Sequence, residues 1–473
     1  MRRNIKTLLL ISSCALALSA CKTTRDLEVP NAPAGFEQTD VTALGNERFQ
    51  TSEPVVSWWK TLEDEQLDFL ISWSMDHNKD IGIALANLQE ARSLASGTKF
   101  DRFPTVTSSA LYSRDYASKE TGVPVSDRSN NVYNTGFGAS WEMDLFGRVS
   151  SRIDGAEARE LASMADLRGA YVAVAAEVAR SYVALRGSQY RLSIAKRNAE
   201  NQKETYELTK RLTEGGRGTQ LDVSRALTQL ELTQSTVPAL EAAVSANIHR
   251  ISVLTGQVPD TLREVLSEAK PMPSIPVSVN LGNVTDLLRR RPDVVSAEHS
   301  LAAATADYNV AVTNQFPVVS VIGSLGFVAT SLSSFGSTAL AASVGPSVSW
   351  QAFDMGRVHA QIDQSDARAH RALVTYEKTV LESLEELQTS VSDFSKEEER
   401  RGYLQRAARS SKESATLARQ RYEAGVDTFL DVLNAEATLL AAEDGLAQSE
   451  INAALDLISV YKALGGGWQG KEI

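Results

Sequence analysis

The sequence predicts a mainly α-helical chain with a membrane-type β part: long helices, four β-strands, and one architecture written twice. Three observations carry this. First, Arg421-Tyr-Glu-Ala-Gly-Val-Asp-Thr-Phe-Leu-Asp-Val-Leu-Asn-Ala435 has an earlier copy, Glu214-Gly-Gly-Arg-Gly-Thr-Gln-Leu-Asp-Val223. Gly216, Thr219, Leu221, Asp222 and Val223 stand 209 residues before Gly425, Thr428, Leu430, Asp431 and Val432. Second, no proline lies between Val149 and Thr213, and alanine and charged residues dominate there. About 64 residues at 1.5 Å each make a helix of roughly 95 Å, longer than a compact domain needs. Third, Tyr133, Thr135, Phe137, Ala139, Trp141 and Met143 alternate with Asn134, Gly136, Gly138, Ser140, Glu142 and Asp144. A period of two sends the two sets to opposite faces of a strand.

The 473 residues are 23% charged and 43% hydrophobic, ordinary for a folded chain, and a net charge of −11 speaks against a nucleic-acid partner. Residues 1–20 read as a secretory signal. Arg2, Arg3 and Lys6 precede an apolar run, Leu8–Leu18, too short to span a bilayer. Losing the signal removes three cations and takes the net charge from −11 to −14. Cys14 goes with it, so the mature chain keeps Cys21 alone and forms no intrachain disulfide. Residues 21–54 are polar, with Pro30, Pro33 and Pro54, and read as an irregular tether.

Residues 55–255 make a first repeat. Trp58 and Trp59 are expected to pack against the helical body. A helix then runs to about Phe100 and stops at Phe103-Pro104. Strands follow near 104–116 and 131–145. The long helix begins at Gly147-Arg148, turns near Gly216 and returns to about Thr255, with Pro238 expected to kink or break the return. Residues 256–283 hold Pro259, Pro271, Pro273 and Pro276 and read as a surface strap.

Residues 284–464 repeat the pattern: a helix from Pro292 to about Asn314, then Phe316-Pro317, then strands near 317–329 and 340–353. Ser349-Trp-Gln-Ala-Phe-Asp-Met-Gly-Arg357 answers Ser140-Trp-Glu-Met-Asp-Leu-Phe-Gly-Arg148, and two long helices follow, near 357–422 and 428–464. Residues 465–473 are expected to be a flexible tail.

The strand faces suit a wall between lipid, on the side of Phe137 and Trp141, and an aqueous lumen, on the side of Ser140 and Glu142. A strand of a soluble sandwich shows similar alternation. In lipid an open sheet edge leaves backbone groups unpaired, so four strands must close with copies of themselves. Two copies give eight strands and three give twelve; the strand pattern alone does not choose.

No catalytic constellation stands out, and no cofactor motif is present. His77, His249, His299, His359 and His370 lack metal-ligand spacing, Gly215-Gly-Arg-Gly218 lacks the lysine of a phosphate-binding loop, and Arg289-Arg-Arg291 reads as a solvated helix boundary. At the second turn Gly425 breaks one helix, while Thr428 and Asp431 have the spacing that caps the next. Asp427, Asp431 and Asn434, at i, i+4 and i+7, are expected on one helical face. A symmetric assembly would turn each into a ring, and an acidic ring at a constriction selects cations. Capping accounts equally well for Asp222 and Asp431.

The order of Leu18-Ser-Ala-Cys21, Trp58-Trp59, Arg290-Arg-Pro-Asp293, the twin Gly-Arg strand ends and the Gly425 turn resembles the TolC-like outer-membrane efflux proteins, in their lipidated NodT-like or OprM-like branch. The resemblance spans essentially the whole mature chain. It implies acyl chains on Cys21 and, with Lys22 rather than aspartate behind it, sorting to the outer membrane. It implies a homotrimer whose twelve-stranded β-barrel, in outer-membrane lipid, stands above an α-helical barrel crossing the periplasm. It also implies a periplasmic adaptor and an inner-membrane pump of the resistance–nodulation–division type, with this protein as a passive conduit rather than an enzyme. Tyr422 and Asp431 match the family's pore constriction; Asn434 stands where some members have a second aspartate, and Asp427 where an arginine occurs. Gly216, Thr219, Asp222 and Gly425 match the turns that meet the adaptor. A duct for protein secretion or metal-ion efflux, or a structural coiled-coil lipoprotein, are the alternatives.

Overall fold

The computed structural model describes residue 25 and residues 48–50, 52, 55–118, 120, 128–282 and 290–468. The signal, Cys21 and most of the tether lie outside the described residues. The elements, in order, are strand β1 (Phe49–Gln50), helices α1 (Glu65–His77) and α2 (Lys79–Lys99), strands β2 (Thr105–Tyr116) and β3 (Ser129–Met143), and helices α3 (Arg148–Glu214), α4 (Gln220–Leu254) and α5 (Arg263–Leu266). Then come β4 (Val279–Asn280), α6 (Pro292–Thr313), β5 (Val318–Ala329), β6 (Leu340–Ser349), α7 (Met355–Glu423) and α8 (Phe429–Ala463). Helix–strand–strand–helix–helix thus occurs twice. Among the described residues no helix is long and apolar enough to cross a membrane.

The chain divides into two compact units. The first takes in Arg25 and the described residues of 88–163 and 296–376. It holds an antiparallel sheet in the order β2-β3-β5-β6. The register extends the two-faced pattern of β3 to all four strands. Tyr133, Thr135, Phe137, Ala139 and Trp141 share a face with Val106, Ala110 and Tyr112 of β2, and with Val321, Gly323, Leu325, Phe327 and Ala329 of β5. Leu340, Ala342, Val344, Pro346 and Val348 of β6 continue it. The opposite face is mostly polar, carrying Thr105, Thr107, Ser109, Asn134, Ser140, Glu142, Ser320, Ser324, Ser343 and Ser347, with apolar exceptions such as Leu111, Ile322 and Val328. The first face exposes large apolar groups, Phe137 at 61% and Val344 at 82%, while the Phe335 ring lies near Tyr133 and Phe327 at one end. β2 and β6 are open edges of the sheet.

Duplication reaches single hydrogen bonds. The indole N–H of Trp141 donates to the carbonyl of Arg102 at 3.0 Å, and that of Trp350 to the carbonyl of Gln315 at 3.1 Å. Each acceptor immediately precedes a Phe-Pro pair, so each repeat ties the end of its second strand to the start of its first in the same way.

The second unit takes in the described residues of 31–87, 164–295 and 377–473. Its core gathers Leu67, Ile71, Tyr182, Leu185, Ile248, Leu457 and Val460, all nearly inaccessible. Trp58 and Trp59 are buried in a 3-10 turn, Trp58–Leu62, and Trp58 stacks on Tyr461 at 5.1 Å.

Several expectations are corrected here. A separate helix, Glu65–His77, precedes the expected one, which opens at Lys79; Asn78 parts them, its side chain accepting from the N–H groups of Asp80 and Ile81 and donating to the carbonyl of Leu254. Pro238 does not break α4; it and Gln234 are exposed, so the carbonyl that loses its intrahelical partner faces water. The strap is docked: β4 pairs with β1, and Leu266 and Val279 are fully buried. Arg291 is not solvated. Its side chain, 9% exposed, holds Asp293, Glu386 and the carbonyl of Ala463. Burial opposes both carboxylates' charge, yet Arg291 holds Asp293 and Glu386 below the usual range. The tail is not free as it leaves α8, because Gly465–Gly467 are buried, the last two packing against Trp58 and Trp59, and Trp468 donates to the carbonyl of Arg290. Residues 469–473 lie outside the described residues.

Candidate functional site: the twin helical turns

Both turns lie in the second unit and are built alike. After α3, the N–H of Gly216 donates to the carbonyl of Thr213 at 3.0 Å and that of Arg217 to Leu212 at 2.8 Å. After α7, the N–H of Gly425 donates to Tyr422 and that of Val426 to Arg421, both at 2.9 Å. This pair of bonds closes a helix around one left-handed residue, and the φ angles are 75° at Gly216 and 77° at Gly425. The following helices start alike too: the N–H and Oγ1 of Thr219 donate to Asp222, and those of Thr428 to Asp431. Capping is therefore a real role for both aspartates.

The turns differ in charge. Asp427 lies before the cap residue Thr428, off the helix, so it does not share a helical face with Asp431 and Asn434 as the spacing predicts. Arg421 donates to it through Nε at 2.6 Å and Nη2 at 2.9 Å. This hydrogen bonding holds Asp427 below the usual carboxylate range. The equivalent positions of the first turn are Leu212 and Gly218. Arg421 was not singled out by sequence reasoning; the signal was a cation and an anion six residues apart around a glycine turn. Asp431 and Asn434 are exposed. The Tyr422 ring meets Phe429 edge-on at 5.7 Å. Arg217 of the first turn lies over Gly425, its Nη2 3.3 Å from where a β-carbon would sit. So Gly216, Thr219, Asp222 and Gly425 occupy one adjoining pair of turns with Tyr422, Asp427 and Asp431.

Behind the turns α3, α7 and α8 share a polar node that the sequence did not reveal. Arg419 donates to Thr205 Oγ1 at 2.7 Å and to the carbonyl of Asn201, while Thr205 donates to Glu436 at 2.8 Å. Burial raises the Glu436 carboxyl. Among the described residues no group of three or more His, Cys, Asp or Glu side chains is placed to hold a metal ion.

The family described as outer membrane efflux protein matches residues 70–257 and 283–466, most of both repeats. The chain belongs to that family. The antibiotic efflux pump outer membrane protein ArpC of Pseudomonas putida is 27% identical over 98% of this chain and 96% of its own. The toluene efflux pump outer membrane protein TtgC of Pseudomonas putida is 28% identical over the same shares. The solved outer-membrane channel OprN superposes with a TM-score of 0.89 at 40% identity, over 95% of this chain and all of that one. This efflux protein therefore has the TolC-like fold, acts in the outer membrane, and is the channel component of an efflux system.

Proposed function

We propose that three copies of this chain close their sheets edge to edge into a twelve-stranded barrel, continued by the long helices as a periplasmic tube. The single observation that carries this is a sheet with one apolar and one mostly polar face and two open edges, β2 and β6. Backbone groups on those edges cannot stay unpaired in hydrocarbon, and ring closure with identical copies pairs them. In this reading Cys21 carries the lipid anchor. The twin turns face inward and downward: Tyr422, Asp427, Asp431 and Asn434 narrow the pore, and Gly216, Thr219, Asp222 and Gly425 meet a periplasmic adaptor. An inner-membrane pump of the resistance–nodulation–division type delivers small molecules to the tube. Relatives of near-equal similarity are named for antibiotics and for toluene, which supports a conduit whose cargo is chosen by the pump.

The test is the mass of the detergent-solubilised protein, its conductance in a planar bilayer, and the proteins that copurify after mild crosslinking in cells. A trimer that conducts and brings down an adaptor and a pump is expected. A monomer that forms no channel would refute the proposal.

A further inference from the structure

We propose that Tyr308, Asn309 and Asp366 form a receiving site for the chain's own N-terminal segment, and that this site pins the lipid-bearing end of the protein beside the sheet. The proposal deepens the reading of a lipid-anchored channel and rests on it for the role of Cys21. All of its contacts fall in the first unit.

The geometry is that of a clamp on backbone. The N–H of Arg25 donates to Asn309 Oδ1 at 2.8 Å, and Asn309 Nδ2 donates back to the carbonyl of Arg25 at 3.0 Å. One amide side chain thus satisfies both polar groups of one residue, as a neighbouring strand would. Asn309 is 8% exposed, near the C-terminal end of α6, where a buried polar side chain is costly unless bonded. The Arg25 guanidinium pairs with Asp366 at 3.2 Å and lies 5.5 Å from the centre of the Tyr308 ring. The ion pair is more than half exposed on both sides and is worth little alone, so the amide is the main holding group.

The internal repeat supplies a control within the same molecule. Phe103 and Phe316 lie 213 residues apart, which aligns α2 with α6; Trp141 and Trp350 lie 209 apart, which aligns α3 with α7. Asp366 then corresponds to Glu157, which pairs with Lys99 at 2.9 Å. Lys99 corresponds to Val312, so the second repeat has lost its own cation and Arg25 supplies one. Asn309 corresponds to Ser96 and Tyr308 to Ala95, neither able to clamp a backbone or stack on a guanidinium. The second repeat keeps the carboxylate and departs from the first at the ring and the amide that touch Arg25.

The consequence is a short leash. Arg25 is four residue steps from Cys21, a reach of at most about 14 Å. Asn309 itself stands nine residues before the first residue of β5. The next described hold on the N-terminal segment is at Arg48, 27 positions after Cys21, which pairs with Glu398 and accepts from the N–H of Val279. Effective concentration falls steeply with tether length, so the clamp would deliver acyl chains to lipid at the foot of the sheet.

Trypsin reads this directly, because it cuts after Arg25. Full-length protein in detergent is digested briefly and cleavage after Arg25 is followed by intact mass, which also reports acylation of Cys21. The wild type is expected to be cut there slowly, and Asn309→Ala at least about tenfold faster, as cleavage tracks the open population. Asn309→Asp keeps the acceptor and loses the donor, and should fall between. Equal rates at Arg25 in wild type and Asn309→Ala, with cleavage elsewhere unchanged, would overturn the clamp. A second arm covers a variant that folds badly: Arg25→Cys with Asp366→Cys, Asn309 intact, should be bridged within one chain by a short bismaleimide, and failure to bridge also overturns it. An unacylated mass at Cys21 would remove the lipid anchor while leaving the clamp readable.

Discussion

Arg421 grips both carboxylate oxygens of Asp427, at 2.6 and 2.9 Å, across the turn that Gly425 makes. The pair is a neutral unit at a place where sequence spacing alone puts an acidic ring. Asp431, near the start of α8, makes no ion pair among the described residues; its carboxylate accepts from the N–H and Oγ1 of Thr428.

The first prediction follows from that arithmetic of charge. Removing the pair together, Arg421→Gln with Asp427→Asn, leaves the net charge of the turn unchanged and should leave cation selectivity in a planar bilayer close to wild type. In the proposed trimer Asp431→Asn removes one charge per chain at a narrow, poorly screened point and should lower cation selectivity and block by multivalent cations. If the double variant and Asp431→Asn shift selectivity equally, Asp431 is a cap and nothing more.

The sheet's faces give the second. Phe137 lies opposite Leu325 and Ser108 on the apolar face, while Ser140 lies opposite Ile322 and Thr105 on the other. Arginine at Phe137 should cost roughly 2–4 kcal/mol near the bilayer midplane and reduce the protein recovered in outer membranes. Arginine at Ser140 should be recovered nearly as well as wild type. Equal recovery of both would contradict the lipid and lumen assignment.

Much of this was legible because the chain states it twice. The turns at Gly216 and Gly425 have only local causes, a left-handed residue and a cap four residues apart at most, so pattern sufficed. The strands of β3 could be read because alternation is local too, and the register of β5 and β6 then followed from pairing. What escaped depends on distant partners. Asn78 parts two helices through an amide that reaches Leu254, 176 residues away. Arg291 reads as a solvated basic cluster until Glu386 and the carbonyl of Ala463 are brought to it. Asp427 looked helical because i, i+4 spacing says nothing of where the helix begins.

A third prediction concerns the seam between the repeats. Gly136 of β3 pairs with Gly326 of β5, and a β-carbon on Gly326 would lie 2.5 Å from the carbonyl oxygen of Thr135 and 2.8 Å from the α-carbon of Gly136. Those are backbone atoms that cannot swing aside. Gly326→Ala should therefore part the strands and reduce assembled protein in outer membranes severalfold. Gly345, which corresponds to Gly136 in the second repeat, has nothing within 4 Å of its would-be β-carbon, and Gly345→Ala should assemble normally. Indistinguishable yields of the two variants would mean that the close approach is not limiting.

The last prediction is a pH dependence. Asp456 of α8 is raised from 3.8 to about 6, first by burial, then by the nearby charges of Asp393 and Glu397, with Arg180 offsetting them in part. The folded state thus binds this proton more tightly than the unfolded chain does. Stability should rise as pH falls from above about 6 towards 3.8, because the penalty for an ionised Asp456 is relieved over that window. Asp293 and Glu386 act in the opposite sense, but their loss begins only as pH falls towards 3.8 for Asp293 and 4.5 for Glu386, at the acid end of this window and below it. A two-unit shift is worth at most about 3 kcal/mol, and roughly 1 kcal/mol once the half-exposed setting is allowed for. Asp456→Asn should therefore be more stable than wild type at pH 8, and the advantage should shrink to about half by pH 5 and vanish only below 3.8. Urea unfolding midpoints of both proteins at the two pH values decide it. A difference between them that is the same at pH 8 and pH 5 would show that the Asp456 proton is not linked to folding.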